Sequence, residues 1–236
     1  MPGYASVDGT VGAGPLNDIF TPDLTQRWTL GQIATGVDPY FGYGEFIYGQ
    51  AAAAIALPGR LVVPSEVYLM TDLASTAIQG MPFAVSRQVM AINTFGWFQI
   101  GGLCPVQTAN SVATGVAVGI GTAGIAGTNS AGKQLMNTRV QKDSTFTVGG
   151  APNLKKVSST NGSPVLNISS IDGLFVGLTI SGIAGITGTI LSIDPSGRFI
   201  TMSANASVTA SGNAIFTYTG FLLVYISRPF SQGAIT

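Results

Sequence analysis

The chain has 236 residues, of which 46% are hydrophobic and only 8% charged, against roughly 25% charged in an average domain. That supplies a core and excludes intrinsic disorder, which needs low hydrophobicity and high charge. Ten basic and ten acidic residues cancel, and the longest basic run is Lys155-Lys156, so the footprint of counterion-driven nucleic-acid binding is missing.

Residues 1–38 read as an extended arm. Pro2, Gly3, Gly9, Gly12, Gly14, Pro15 and Pro22 break any regular element, and only "LTQRWTLGQ" suggests a helical turn or short strand. The first residues have no basic n-region and no apolar h-region, so no secretory signal is expected. Tyr4, Phe20 and Trp28 have no local core to bury them and are the candidate partner contacts. The arm is therefore expected to be mobile in the free protein and to order against a neighbouring subunit or another surface.

From Tyr40 the texture becomes aromatic and β-branched. "YGEFIYGQ" predicts a strand, "AAAAIAL" a strand entry or single turn, and "GRLVVPSEVYLM" an edge or broken strand around Pro64. "PFAVSRQVMAI" and "GWFQIGGLCPVQ" read as a hairpin about Asn93-Thr94. Cys104 is the only cysteine, which excludes an internal disulfide and suits folding in a reducing cytoplasm.

Three motifs overlap in "VATGVAVGIGTAGIAGTNSAGKQ", residues 112–134. Gly119 to Gly124 spell GxGxxG, but a dinucleotide site needs a helix next, and Gly127 and Gly132 would each cost that helix about 1 kcal/mol. Asp143 stands near the distance of the ribose-binding acid. Gly127 to Lys133 spell a phosphate loop, but Gln134 replaces the hydroxyl that reaches Mg²⁺. Gly115 and Gly119 spell GxxxG, yet the apolar stretch is shorter than the ~20 residues a membrane helix needs. The expectation is neither nucleotide nor membrane: a strand and wide turn crowded by another backbone, with "AGKQLMNTRV" a turn feeding a strand.

Between 153 and 218, "SPVLNISS", "LTISGI", "TGTILSID", "RFITMSA" and "NAIFTYT" are short β-branched runs divided by Gly- and Asn-containing turns, as in a small sandwich or barrel. "GFLLVYISRPF" closes the chain. No segment sustains a 3.6-residue period, so the fold class expected is all-β. The expected architecture is a compact β-barrel or sandwich core (39–152 plus 219–236), an inserted β module (153–218) and the arm (1–38). The core is expected to close without the insert. Residues 1–80 carry seven acids and two bases, and the remainder eight bases and three acids. That polarity could orient a partner or a neighbouring subunit, but a solvated surface is the simpler reading.

Nothing points to catalysis. There is no histidine, the commonest general base and metal ligand, and one cysteine cannot build a thiolate zinc site. Glu45 and Glu66, the only glutamates, could form a glycosidase pair only by meeting in space, and two strand-surface carboxylates are the simpler reading. No cofactor, metal or enzyme activity is expected.

The segments "YGEFIYGQAAAAIALPGRLVV", "FAVSRQVMAINTFGWFQIGGLCPV" and "VATGVAVGIGTAGIAGTNSAGKQLMNTRV" resemble the capsid decoration (cement) proteins of tailed bacteriophages. Gly44, Glu45, Phe46 and Tyr48 carry one part of the likeness, and Gly96, Trp97 and Gly102 the other; "FLLVYISRPFSQGAIT" resembles the last strand and tail. The segment from Gly173 to Gly182, with Ile200 to Ser203, resembles a small β module of phage structural proteins, here inserted before the final strand. The resemblance implies a structural protein on the capsid exterior, made and assembled in the host cytoplasm. It would bind the major capsid protein and bridge neighbouring subunits as a homo-oligomer (dimer or trimer) on the shell. The alternative it leaves open is another virion β-protein: a head fibre, a tail component or a receptor- or carbohydrate-binding component.

Overall fold

The structure, a computed structural model, describes residues 5–6, 19, 21–38, 41–75, 80–142, 145–148, 155–194 and 196–232, and among these there is no helix. The protein is all-β. Its first part contains β1 (Ala5–Ser6), β2 (Ile33–Asp38), β3 (Gly42–Ala51), β4 (Leu61–Pro64), β5 (Leu69–Asp72), β6 (Ala84–Ser86), β7 (Phe95–Gln107), β8 (Val118–Thr122), β9 (Ile125–Thr128) and β10 (Gln134–Lys142). Strands β3, β5, β4, β6 and β7 pair in that order, and β7 pairs again with β3, so five strands close into a ring. Period-2 alternation decides what the ring encloses. Ala51, Val62, Met70, Ala84 and Phe98 pack inside it with Ile47, while their neighbours Leu61, Val63 and Val85 face a second layer containing Val106, Val118, Leu135 and Val224. Fully burying one such side chain contributes about 1.5–3 kcal/mol.

The segment around Pro64 is broken as expected: β4 and β5 form a hairpin over a turn at 65–68. The pairing of β6 with β7 is antiparallel, but only two residue pairs long. Residues 87–94 leave the ladder because Met90 instead bridges Ile55.

The second sheet is built from β11 (Thr145–Val148), β12 (Lys155–Ser159), β13 (Val165–Ile168), β14 (Thr179–Ser181), β15 (Ile190–Ile193), β16 (Phe199–Met202) and β17 (Ser211–Thr219). Four of the five runs read as strands between 153 and 218 contain one, and the fifth, "NAIFTYT", lies within β17. Strand β14 pairs β17, and a bridge from Thr179 to Thr189 brings it to the start of β15. The Gly177 N–H donates to the Ile190 carbonyl, and the Ile190 N–H to that of Leu178, both at 2.8 Å. These bonds close a second ring around Leu166, Leu174, Phe175, Ile190, Ile200 and Phe216. Thr145 to Val148 pair with the same β17, so this sheet also takes in residues before 153. The chain then returns as β18 (Phe221–Gln232), which lies between β7 and β10 and completes the larger sheet.

Phe221 joins the two rings. It is buried, meets the Phe175 ring edge-on at 5.1 Å, and lies so close to Gly59 that a Cβ there would stand 2.9 Å from its Cε1. Phe221 and Leu223 belong to the same hydrophobic cluster as the second ring's interior and as Phe46, Tyr48 and Trp97. Phe221 and Leu223 thus pack with the insert's interior, and whether the core closes without residues 153–218 is decided by replacing them.

The arm also differs from expectation. Tyr4 and Phe20 lie outside the described residues. Asp38 to Ile33, expected to be structureless, form β2, paired with β3 from Gly42 to Ile47. Ile19 is buried, and Trp28 and Leu30 pack half-buried on the cluster that holds Tyr48 and Trp97. Asp23 and Phe95 exchange backbone hydrogen bonds of 2.8 and 2.9 Å. The Tyr48 hydroxyl donates to Asp23 Oδ2 at 2.8 Å and accepts from the Arg27 N–H at 3.2 Å, while Arg27 Nε donates to Asp23 Oδ1 at 2.9 Å. The physical reason is that the outer edge of β3 over Gly42–Ile47 is free to pair and its face is aromatic, so Ile19 and residues 21–38 find their covering surface within the chain. Burial pushes the Tyr48 hydroxyl up to about 12, with the Asp23 carboxylate adding to the rise.

Candidate interaction surface

The overlapping motifs resolve into one β-hairpin. Strands β8 and β9 pair Gly119 with Gly127 and Ile120 with Ala126, and β10 follows where the phosphate-loop helix would begin. Its glycines answer to crowding. A Cβ on Gly119 would stand 2.7 Å from the Asn129 Cα, one on Gly121 2.7 Å from the Ala126 carbonyl oxygen, and Gly124 turns at φ +67°. Lys133 closes a turn through its N–H to the Ser130 carbonyl at 3.0 Å. Asp143 lies outside the described residues.

The two glutamates stand on separate elements. Glu45, in β3, holds Arg228 through Nε at 3.2 Å and a second guanidinium nitrogen at 2.6 Å, which raises the Arg228 pKa above its ordinary value. Glu66 is exposed in the turn between β4 and β5. Among the described residues no three His, Cys, Asp or Glu side chains gather to hold a metal.

A groove of about 440 Å³ runs across β3, β7, β18 and β10. It begins with an irregularity in β7. Phe46 pairs with Gln99 but Glu45 with Gly101, so Ile100 is an extra residue. The bulge is braced from inside: Gln99 Nε2 donates to the carbonyls of Gly101 at 2.9 Å and Leu103 at 3.1 Å, and its Oε1 accepts from Arg87 at 3.1 Å. The buried Arg87 guanidinium lies 4.8 Å over the Phe41 ring. Gly102 then takes φ +93°, where a Cβ would strike the Tyr43 carbonyl, so only glycine lets β3 and β7 close here. Beyond it, Leu103 pairs with Tyr225, and Tyr225 with Arg139.

Phe41, Leu103 and Leu223 form the groove's apolar floor, and Tyr43 and Tyr225 are its aromatic walls, 55% and 49% exposed. Gln141 and Lys142 of β10 line its polar side. Neither tyrosine stands out in the sequence. The signal was the alternation of "LLVYISR", where Val224 and Ile226 are buried and Tyr225 between them faces out.

A smaller cleft of about 240 Å³ opens where β2 and β3 face the β4–β5 turn, lined chiefly by Ile33, Ile47, Tyr68, Phe83 and Ile100. Tyr68 and Arg228 at its rim have φ of 59° and 43°, a conformation that bulky residues rarely adopt. Of the predicted partner contacts, Trp28 sits against this protein's own core and in neither cavity. The chain matches no family model, no curated protein and no solved structure in the comparisons made.

Proposed function

We propose that this is a structural virion protein that binds the outer surface of an assembled phage capsid and stabilises it by bridging neighbouring major capsid subunits. The observation that carries this reading is a charge-poor surface from which large apolar side chains project on short, tied-down loops. Leu24 is 83% exposed although its neighbour Asp23 is pinned to Phe95, and the adjoining turn holds out Ile92 at 58%. Side chains held rigidly into water at such exposure suit a protein partner, because little further ordering is needed when they are covered. The sequence resemblance to decoration proteins supports the same reading, with the chain acting on the capsid exterior as a homo-oligomer.

Binding stabilises the shell by linkage. A protein that binds only assembled subunits adds RT ln(1 + [L]/Kd) per site, and repetition over many equivalent sites makes modest contacts effective. The test uses bare shells of the encoding phage, heated with and without the purified chain. Shells carrying it should survive to a higher temperature. Leu24→Asp with Ile92→Asp should leave the protein's own melting unchanged while abolishing retention on shells. Failure of the wild-type chain to sediment with shells refutes the proposal.

A further inference from the structure

We propose that the outer face of the second ring carries a binding site for an acidic sugar, a polyhydroxylated ring bearing an oxyanion. This goes beyond attachment to a shell and does not depend on it.

The site is a shallow hollow of about 460 Å³ lined chiefly by Lys156, Ser158, Asn167, Ser169, Arg198 and Ser211, within the roughly 300–1,000 Å³ of small-molecule sites. Strand alternation builds it. Val157, Leu166 and Ile168 point into the ring, so their neighbours in sequence point out. The registers then set two polar rows side by side. Ser211, Ser158, Asn167 and Phe199 are successive cross-strand partners over β17, β12, β13 and β16. Beside them, the Ser169 N–H donates to the Lys156 carbonyl at 2.9 Å, and Ser169 Oγ accepts from the Lys156 N–H at 3.0 Å. The Arg198 carbonyl accepts from the Ile168 N–H at 2.9 Å, which ties Arg198 to the next strand. Short serines thus floor a hollow that the longer Lys156, Asn167 and Arg198 side chains wall. Its polar groups stand on paired strands, so binding orders little backbone.

Charge and hydrogen-bonding capacity set the ligand's chemistry. Lys156 and Arg198 enter none of the ion pairs among the described residues. The two acids between β11 and β17 are engaged elsewhere. Asp172 Oδ2 accepts from the Ser170 hydroxyl at 2.6 Å, whose oxygen accepts from Lys155 at 3.1 Å. Asp194 Oδ1 accepts from the Ser196 N–H at 2.8 Å. The hollow is thus positive, and a guanidinium fork near an ammonium suits a carboxylate or a phosphate. The remaining lining is neutral and polar. The Asn167 amide and the Ser158, Ser169 and Ser211 hydroxyls both donate and accept, as neighbouring sugar hydroxyls require. Phe199, 38% exposed, follows Asn167 in the same row. Its negative ring face matches the positively polarised C–H face of a pyranose. One ring and two cations are too few to track a nucleic-acid strand, which favours a charged sugar.

The experiment is an NMR titration of the full chain with a glucuronic-acid disaccharide, glucose 6-phosphate and a neutral glucose disaccharide, and with inorganic phosphate and a short oligothymidylate as competitors. Both acidic sugars should bind with a Kd in the range of about 0.1–1 mM and weaken as salt rises. Each should bind at least tenfold more tightly than the neutral sugar or the bare ion, and the tighter of the two identifies the oxyanion as carboxylate or phosphate. Lys156→Gln and Arg198→Gln should each lower their affinity at least fivefold with unchanged melting, because both side chains are exposed. Phe199→Ala should weaken them as well, while Phe199→Tyr, which keeps the ring, stays within threefold of wild type. Lys133→Gln, on the other sheet, removes the same charge and should change nothing. The proposal is overturned by absence of saccharide binding up to roughly 10 mM, by inorganic phosphate binding as tightly as glucose 6-phosphate, by tighter binding of the oligothymidylate, or by acidic-sugar binding that survives Lys156→Gln with Arg198→Gln. None of these outcomes bears on whether the chain decorates a shell.

Discussion

Phe221→Ala should destabilise the whole protein, because Phe221 is the side chain through which the two β rings share a core. The ring is buried against Phe175, 5.1 Å away at an interplanar angle of 64°, and against the Gly59 backbone of the first ring. A buried phenylalanine removes roughly 150–250 Å² from water, and its truncation to alanine costs about 3–5 kcal/mol including the cavity left behind. Against a total stability of about 5–15 kcal/mol, that is a large fraction. In a chain of this length it should lower the melting temperature by roughly 6–20 °C. The assay is thermal unfolding followed by circular dichroism and by calorimetry, on Phe221→Ala, Phe175→Ala and the double variant. Neighbours in contact do not add, so the cycle should show a coupling of at least about 0.5 kcal/mol. Replacing residues 153–218 by a short Gly/Ser loop should expose Phe221 and Leu223 and yield an aggregating product. Two separate melting transitions, a loss under about 1 kcal/mol for Phe221→Ala, or a well-folded product of the loop replacement would each refute the shared core.

Trp28→Ala should lower the melting temperature measurably, by the ~1–2 kcal/mol expected for losing a half-buried ring from the cluster it covers; an unchanged melt would return residues 19–38 to the status of a free arm. Cys104 and Tyr48 hold their protons more tightly folded than unfolded, at about 12 for each against 9.0 and 10.0. Their contribution to stability is therefore complete below pH ~9 and lost as pH rises towards ~12. The urea midpoint should fall over that window, and a thiol reagent should leave native Cys104 unmodified at pH ~8; rapid native labelling would contradict the burial. Gly119→Ala should cost about 1–3 kcal/mol through collision with the backbone at Thr128 and Asn129. Lys133→Ala should be silent, and millimolar ATP or NAD should give no thermal shift, whereas a Kd of ~10 μM would give about 2.7 kcal/mol.

The sequence by itself determined the fold class and most strand positions. Apolar alternation states which side of a strand must leave water, and short β-branched runs between turn residues are enough to place β13 to β17. It also contained the reason to doubt its nucleotide motifs, since glycines too dense for a helix suit a hairpin whose backbones crowd, as Gly119, Gly121 and Gly127 do. The packing of residues 21–38 was not legible because an exposed Trp28 and an anchored one look alike in one dimension: the Asp23 contact with Phe95 and Tyr48 joins residues tens of positions apart. For the same reason the groove was not legible, since Tyr43 and Tyr225 stand 182 positions apart and meet only because β18 inserts between β7 and β10. Only the tertiary structure decided the two ring closures, the Phe221 junction and that groove. A local pattern states that a face must be covered or an edge paired; which surface does so is chosen by the total burial and hydrogen bonding of the finished fold.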